Sequence, residues 1–133
     1  MGLEDEGEEE EGPEYDEHVW LSLKSASVLC QYISDELVKI DPDNAETYKA
    51  NVSSYIDDLN ALDSRYQELV SSSDVNTVLF GDRFPFRYLV DDYGIDYYAA
   101  FVGCSAETEA SFETITFLAG KVDELGLKNV FVI

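Results

Sequence analysis

One long amphipathic segment, residues 43–71, constrains the fold of this chain more than any other feature. Its apolar residues recur at alternating intervals of four and three, which places them on one stripe of an α-helix. These residues are Tyr48, Val52, Tyr55, Leu59, Leu62, Tyr66 and Leu69. Asp41 and Pro42 suit a helix cap and a first helical position, and the serines that begin at Ser71 are typical of a helix end.

The length of this helix limits what it can do. About 29 residues make a helix of about 43 Å, which exceeds the roughly 30 Å diameter of a small domain. Such a helix either pairs in a coiled coil or connects two bodies of structure. Tyrosine is unusual in a coiled-coil seam, and matched flanking charges are absent. The sequence therefore predicts a long linking helix over residues 43–73, with a coiled coil as the alternative.

After residue 73 the pattern changes to short apolar strands that alternate with helices. The predicted order is strand 76–80, helix 84–93, strand 95–101, helix 111–125 and strand 129–133. This alternation indicates an α/β fold with a short parallel sheet and right-handed crossovers, in which ligands lie beyond the carboxyl ends of the strands. Because the last strand has no turn after it, we expect the chain to be a fragment with an open sheet edge that favours self-association.

The formal net charge of −21 limits the partners of the chain. A charge of this sign argues against nucleic acid and anionic membrane surfaces, and it is compatible with a cationic partner or a metal ion. Residues 1–15 are predicted to be an acidic flexible segment, because they cannot bury enough apolar surface to fold.

The first candidate for metal chemistry is His18, the only histidine of the chain. It follows Asp16 and Glu17 and precedes an apolar anchor at Trp20. Imidazole is a common ligand of transition metals. The alternative is an ordinary surface or capping histidine. A zinc site built from three histidines is excluded within this chain.

Acidic residues near the predicted strand ends are the other candidates. Asp82 follows strand 76–80, where a carboxylate could ligate a metal; the alternative is a turn or helix cap paired with a neighbouring arginine. Glu107 and Glu109 precede helix 111–125, where acidic residues also suit the helix dipole. A phosphate-binding glycine loop, a nucleophile elbow and a paired-cysteine motif are absent from the sequence. We predict that the chain is not an enzyme, with a metal-dependent hydrolase that uses Asp82 as the weaker alternative.

The order of these segments resembles a known family. The segments that carry the resemblance are Asp16-Glu17-His18-Val19-Trp20-Leu21-Ser22, Asp41-Pro42 with Tyr48, Leu59-x-x-Leu62-Asp63-x-x-Tyr66, Val78-Leu79-Phe80, Tyr93-Gly94-Ile95, Glu107-x-Glu109-x-Ser111 and Leu125-Gly126-Leu127-x-x-Val130-Phe131-Val132. They are similar to those of the metal-binding lipoproteins of ATP-driven zinc and manganese importers, the ZnuA/AdcA-like substrate-binding proteins of cluster A-I. The resemblance covers nearly everything from residue 16 onward.

The resemblance implies two α/β lobes joined by one rigid long helix, with a metal ion between the lobes. The implied parts are residues 1–15 as the acidic segment, 16–42 as the end of the first lobe, 43–73 as the linking helix and 74–133 as the truncated first part of a second, three-layer lobe. A preceding half-lobe with another histidine and a following segment with an acidic ligand would lie outside this chain.

The resemblance also implies a function. The full-length protein would be an extracytoplasmic lipoprotein, anchored to the membrane, that binds metal and delivers it to the membrane permease of an ABC-type importer. Zn²⁺ is the expected metal, with Mn²⁺ as the alternative. His18 would be the ligand from the first lobe, with Asp82, Glu107 and Glu109 as further metal ligands.

One departure from the family pattern concerns these ligands. The family usually has His-Asp-x-aromatic after the first strand of the second lobe, whereas this chain has Gly81-Asp82-Arg83-Phe84. The residues Phe-Pro-Phe-Arg that follow are expected to lengthen the next helix. The glycine supplies no ligand, so either Asp82 or a glutamate of the 107–109 loop takes its place, or the site is displaced or lost. The alternative function is therefore a surface lipoprotein or adhesion module that has lost its metal on the same fold.

Overall fold

The computed structural model describes residues 15–102 and 110–133. The elements are α1 (Leu23–Ile40), α2 (Ala45–Ser71), β1 (Thr77–Phe84), α3 (Arg87–Tyr93), β2 (Asp96–Val102) and α4 (Phe112–Leu125). Short 3₁₀ turns at Val19–Leu21 and Pro42–Asn44 precede α1 and α2. Within the described residues, every helix is too short or too polar to cross a membrane.

The long helix predicted from the apolar stripe is present as α2. It has 27 residues and is therefore about 40 Å long. It begins at Ala45 because Pro42–Asn44 form a 3₁₀ turn first. The side chain of Asp41 accepts hydrogen bonds from Asn44 Nδ2 and the Tyr48 hydroxyl, each at 2.8 Å. α2 packs against α1 and contacts α3.

Local capping signals explain the ends of the other helices. Ser22 accepts a hydrogen bond from Ser25 N and begins α1, and Ser111 accepts one from Thr114 N and begins α4, each at 3.0 Å. α3 ends at Gly94, whose φ of 63° places it in the left-handed region that favours glycine. The bounds of α3 and α4 agree with the predicted 84–93 and 111–125 to within three residues.

The sheet is smaller than predicted. β1 and β2 pair in parallel, with a register shift between Phe80 and Arg83. The predicted third strand at 129–133 is wrong in extent, because only Phe131 pairs, through an isolated bridge to Phe80. Its amide donates to Leu79 O at 2.8 Å and its carbonyl accepts from Gly81 N at 2.9 Å. The apolar residues around it are exposed, so burial does not hold them in an extended strand.

The connection from β1 to α3 also differs from the prediction. β1 continues through Phe84, and α3 begins at Arg87, so the Phe-Pro-Phe residues do not lengthen the helix. Proline disfavours helical conformation in the residue before it, which keeps Phe84 extended ahead of Pro85. The side chain of Phe84 is buried and stacks on Tyr97 of β2, with ring centroids 4.0 Å apart.

The apolar core lies where the two strands meet the helices that follow them. Its buried members in the described residues are Leu59, Leu79, Phe84, Val90, Phe101 and Leu118. Five of these six belong to residues 74–133, in agreement with the α/β pattern predicted there. The aromatic residues of this region therefore contribute to the core.

Candidate metal centre

His18 lies just before the 3₁₀ turn Val19–Leu21 and is 9% exposed. Its Nδ1 is 2.7 Å from Asp16 Oδ1, and its backbone N–H donates to the same oxygen at 2.9 Å. Because an ionised carboxylate can only accept hydrogen bonds, this pairing favours the tautomer of His18 with the proton on Nδ1. In metal sites, a carboxylate that accepts from the ring nitrogen not bound to the metal fixes the tautomer and orientation of the histidine.

Three side chains at this turn offer ligand atoms close together. One atom each from Asp16, Glu17 and His18 lies within 4.8 Å of the others. His18 is buried, Asp16 is half-buried and Glu17 is exposed. The Trp20 ring lies 5.4 Å from the imidazole, at an interplanar angle of 55°. One imidazole nitrogen with carboxylate oxygens is a donor set that suits Zn²⁺, and additional oxygens favour Mn²⁺.

The turn that holds His18 is connected to α3 on both sides. The Tyr88 hydroxyl donates to Asp16 O at 2.7 Å. On the other side, Ser22 Oγ donates to Asp92 Oδ2 at 2.6 Å. Lys24 Nζ lies 3.6 Å from the second oxygen of the same carboxylate. Reasoning from the sequence missed Tyr88 and Asp92, which no local motif connects to the histidine.

Asp82 does not lie where the sequence placed it. It was predicted to follow the first strand, but β1 continues for two residues beyond it, and Asp82 sits at the register shift. Its Oδ1 accepts a hydrogen bond from Arg83 N at 2.8 Å. Asp82 is not a member of the cluster of Asp16, Glu17 and His18. Its role as a ligand remains a prediction.

The remaining predicted ligands, Glu107 and Glu109, lie outside the described residues. Gly81, where the family pattern has a histidine, is exposed in β1. A Cβ atom built on Gly81 would lie 3.2 Å from Val130 Cγ1, so a side chain there requires a small shift of Val130. Of the predicted ligands in the described residues, His18 alone lies in a cluster of possible metal ligands.

Comparisons with known proteins identify the family of the chain. Residues 1–133 match the family described as "ZnuA: Zinc-uptake complex component A periplasmic". The zinc-binding lipoprotein AdcA of Streptococcus pneumoniae is 38% identical over 110 residues, which are 83% of this chain and 22% of AdcA. The manganese-binding lipoprotein MntA of Halalkalibacterium halodurans is 33% identical over 125 residues, which are 92% of this chain and 41% of MntA.

A solved structure has the same fold. The Zn(II)-bound ZnuA-like domain of Streptococcus pneumoniae AdcA superposes with a TM-score of 0.72 at 32% identity, covering 92% of this chain and 45% of that one. The chain thus spans less than half the length of these relatives. The match over the whole chain shows that it belongs to the ZnuA family of metal-uptake components.

Proposed function

We propose that this chain is part of an extracytoplasmic protein that captures Zn²⁺ and delivers it to the membrane permease of an ABC importer. The observation that carries the proposal is the buried His18, whose Nδ1 is held by Asp16 at 2.7 Å. In metal-binding histidines of this kind, a carboxylate pairs with one ring nitrogen and the other ring nitrogen binds the metal. Zinc is the cargo, and the protein binds and releases it without chemical change, so the chain is not an enzyme.

The other ligands complete the site around His18. Glu17 is a neighbouring carboxylate in the same cluster, and Asp82, Glu107 and Glu109 remain candidates. Structural zinc sites in proteins have four ligands, and a single imidazole with carboxylates is a weak version of such a set. This chain spans 22% of AdcA and 45% of the solved AdcA domain, and we propose that parts of the full-length protein outside this chain supply the rest of the ligand shell. We therefore expect this chain alone to bind zinc weakly.

The location and partner follow from the same proposal. The zinc-binding and manganese-binding relatives are named lipoproteins, so the full-length protein would be anchored outside the cytoplasm, near its permease. Self-association of this chain through the open edge of its sheet remains a prediction. Light scattering that gives a strict monomer at high concentration would contradict it.

The proposal is tested by calorimetric titration of the chain with Zn²⁺, beside His18→Ala and with Mn²⁺ as the comparison. We expect zinc heat in the wild type that disappears in the variant. The acidic residues of segment 1–15 are present in both proteins, so nonspecific binding to them cancels in the comparison. Identical curves would exclude His18 as a ligand and favour the alternative of a surface module that has lost its metal.

Asp82→Asn provides a second comparison in the same titration. It removes the charge of the carboxylate while keeping an oxygen that can accept the hydrogen bond of Arg83 N. If Asp82 is a ligand, zinc binding weakens in this variant. Binding at the wild-type level would remove Asp82 from the site and leave the proposal to depend on His18.

A further inference from the structure

Helix α3 touches the His18 turn at two points that lie on either side of the histidine. Tyr88 binds the carbonyl of Asp16, two residues before His18, and Asp92 binds the hydroxyl of Ser22, four residues after it. These two side chains lie four residues apart on α3. Residues at that spacing lie on one face of a helix, so a single face of α3 holds both ends of the turn.

The contact through Tyr88 reaches the imidazole in two steps. The hydroxyl of Tyr88 fixes the backbone of Asp16 at 2.7 Å. The carboxylate of the same residue then accepts from both the backbone N–H and Nδ1 of His18. Because Asp16 is half-buried and precedes the first regular element, the Tyr88 bond limits how far its carboxylate can move. The orientation of the imidazole therefore depends on α3.

The contact through Asp92 holds the end of the turn that follows His18. Ser22 is 1% exposed, and its Oγ donates to Asp92 while accepting from Ser25 N at 3.0 Å. One buried hydroxyl thus joins the start of α1 to α3. A hydrogen bond to a charged carboxylate is shorter and stronger than one between neutral groups, and the distance of 2.6 Å agrees with that.

We infer that Tyr88 and Asp92 are positioning residues that hold the His18 turn in the geometry needed to bind metal. The inference rests on the proposed function, since the orientation of the His18 ring matters for function only if His18 binds metal. Neither residue is a metal ligand. Each acts through a residue of the turn, Tyr88 through Asp16 and Asp92 through Ser22.

The test measures the tautomer of His18 in the metal-free chain by long-range ¹H–¹⁵N correlation at about pH 8, where a free imidazole is neutral. The spectrum contains one imidazole, because the chain has one histidine. We expect the wild type to show a single tautomer with the proton on Nδ1. In Tyr88→Phe and Asp92→Ala the two nitrogen shifts should move toward an average of both tautomers.

Control variants distinguish the loss of positioning from the general effect of removing a hydroxyl or a carboxylate. Tyr55→Phe removes a hydroxyl from an exposed tyrosine of α2, and Asp91→Ala removes an exposed carboxylate next to Asp92. Both should keep the wild-type nitrogen shifts. Asp92→Asn retains an oxygen that can accept from Ser22 and should restore most of the wild-type spectrum. Tyr88→Phe keeps the ring, so the inference is testable even if Asp92→Ala does not fold.

Zinc titration of the same proteins provides the second readout. Loss of one hydrogen bond that orients the ligand should weaken zinc binding by about two- to tenfold in Tyr88→Phe. Wild-type nitrogen shifts in both Tyr88→Phe and Asp92→Ala would overturn the inference, whatever the zinc affinity. A wild-type chain that ignores zinc would overturn the proposed function instead, and the tautomer comparison would still decide the positioning role.

Discussion

The hydroxyl of Tyr93 in α3 donates to Asp63 Oδ1 in α2 at 2.8 Å. The ring of Tyr93 also stacks on Tyr66 of α2, with centroids 5.4 Å apart and an interplanar angle of 19°. The helix that contacts the His18 turn is therefore joined to the long helix by one residue. Burial raises the pKa of Tyr93, and the hydrogen bond to the Asp63 carboxylate raises it further.

The raised pKa of Tyr93 predicts how stability changes in alkali. The folded protein holds this proton more tightly than the unfolded chain, whose tyrosine has the ordinary pKa of 10.0. The stability contributed by Tyr93 is therefore fully present below about pH 10 and is lost as the pH rises above it. We expect the free energy of unfolding, from urea denaturation, to fall less steeply above about pH 10 in Tyr93→Phe than in the wild type.

Tyr55→Phe is the control for this comparison. Tyr55 lies on α2 and is 54% exposed. The chain has nine tyrosines, so the wild type loses stability in alkali for several reasons, and only the difference between variants is informative. Equal slopes for Tyr93→Phe and the wild type would contradict the prediction.

The elements that the sequence predicted well are those set by local signals. The stripe of apolar residues predicts α2, and the predicted bounds of α3 and α4 lie at the left-handed glycine Gly94 and at the serine cap Ser111. Each of these signals acts within one or two helical turns. The third strand was predicted from an apolar run alone. Such a run becomes a strand only where a partner and a covering layer hold it, and at Phe131 a single bridge is all that forms.

The metal centre shows the same contrast between short-range features, which the sequence reveals, and long-range contacts, which it does not. Asp16 and His18 are two residues apart, so their pairing is a short-range feature that the Asp-x-His spacing could have revealed. Tyr88 lies 72 residues from Asp16, and Asp92 lies 70 residues from Ser22. Contacts over such separations depend on how the helices pack, which periodicity does not encode. The position of Asp82 was missed because β1 continues through a register shift.

A second prediction concerns Asp16. Removing the carboxylate that accepts from the second ring nitrogen of a metal-binding histidine lowers metal affinity by about 10- to 100-fold. We expect Asp16→Ala to weaken zinc binding by about that factor, and Asp16→Asn, which keeps an acceptor oxygen, to have a smaller effect. The measurement is competition of the chain with a chelating dye for Zn²⁺.

Asp43→Ala is the matched control, because it removes the same charge from an exposed position in the turn before α2. It should bind zinc as the wild type does. If Asp16→Ala and Asp43→Ala weaken binding equally, the effect of Asp16 is general electrostatic attraction, and its role in orienting His18 is wrong.

A third prediction tests the core. Leu79 of β1 is 2% exposed, and replacing a buried leucine with alanine costs about 2–5 kcal/mol through lost burial and the cavity left behind. We expect Leu79→Ala to lower the free energy of unfolding by an amount in that range. Leu69→Ala, at a position that is 64% exposed, should change it by no more than about 0.5 kcal/mol. Similar losses in the two variants would show that β1 is not the centre of the core.

The last prediction concerns two glycines, Gly94 and Gly120, at which substitution by alanine should have opposite effects on the free energy of unfolding. A Cβ on Gly94 meets nothing within 4 Å, so the effect of Gly94→Ala comes from the backbone alone. With φ at 63°, alanine is held in the left-handed region, which costs about 1–2 kcal/mol. Gly120 lies inside α4 with similar free space and without a positive φ. Alanine there should stabilise the chain by about 0.5–1 kcal/mol.

Urea denaturation of the two variants beside the wild type measures both effects. The midpoint should fall for Gly94→Ala and rise for Gly120→Ala, with the same slope in each, because neither substitution changes the surface exposed on unfolding. A shift in the same direction for both would contradict the backbone argument. Since Gly94 ends α3, a lower midpoint for Gly94→Ala with unchanged His18 nitrogen shifts would also show that the geometry of the His18 turn does not follow overall stability.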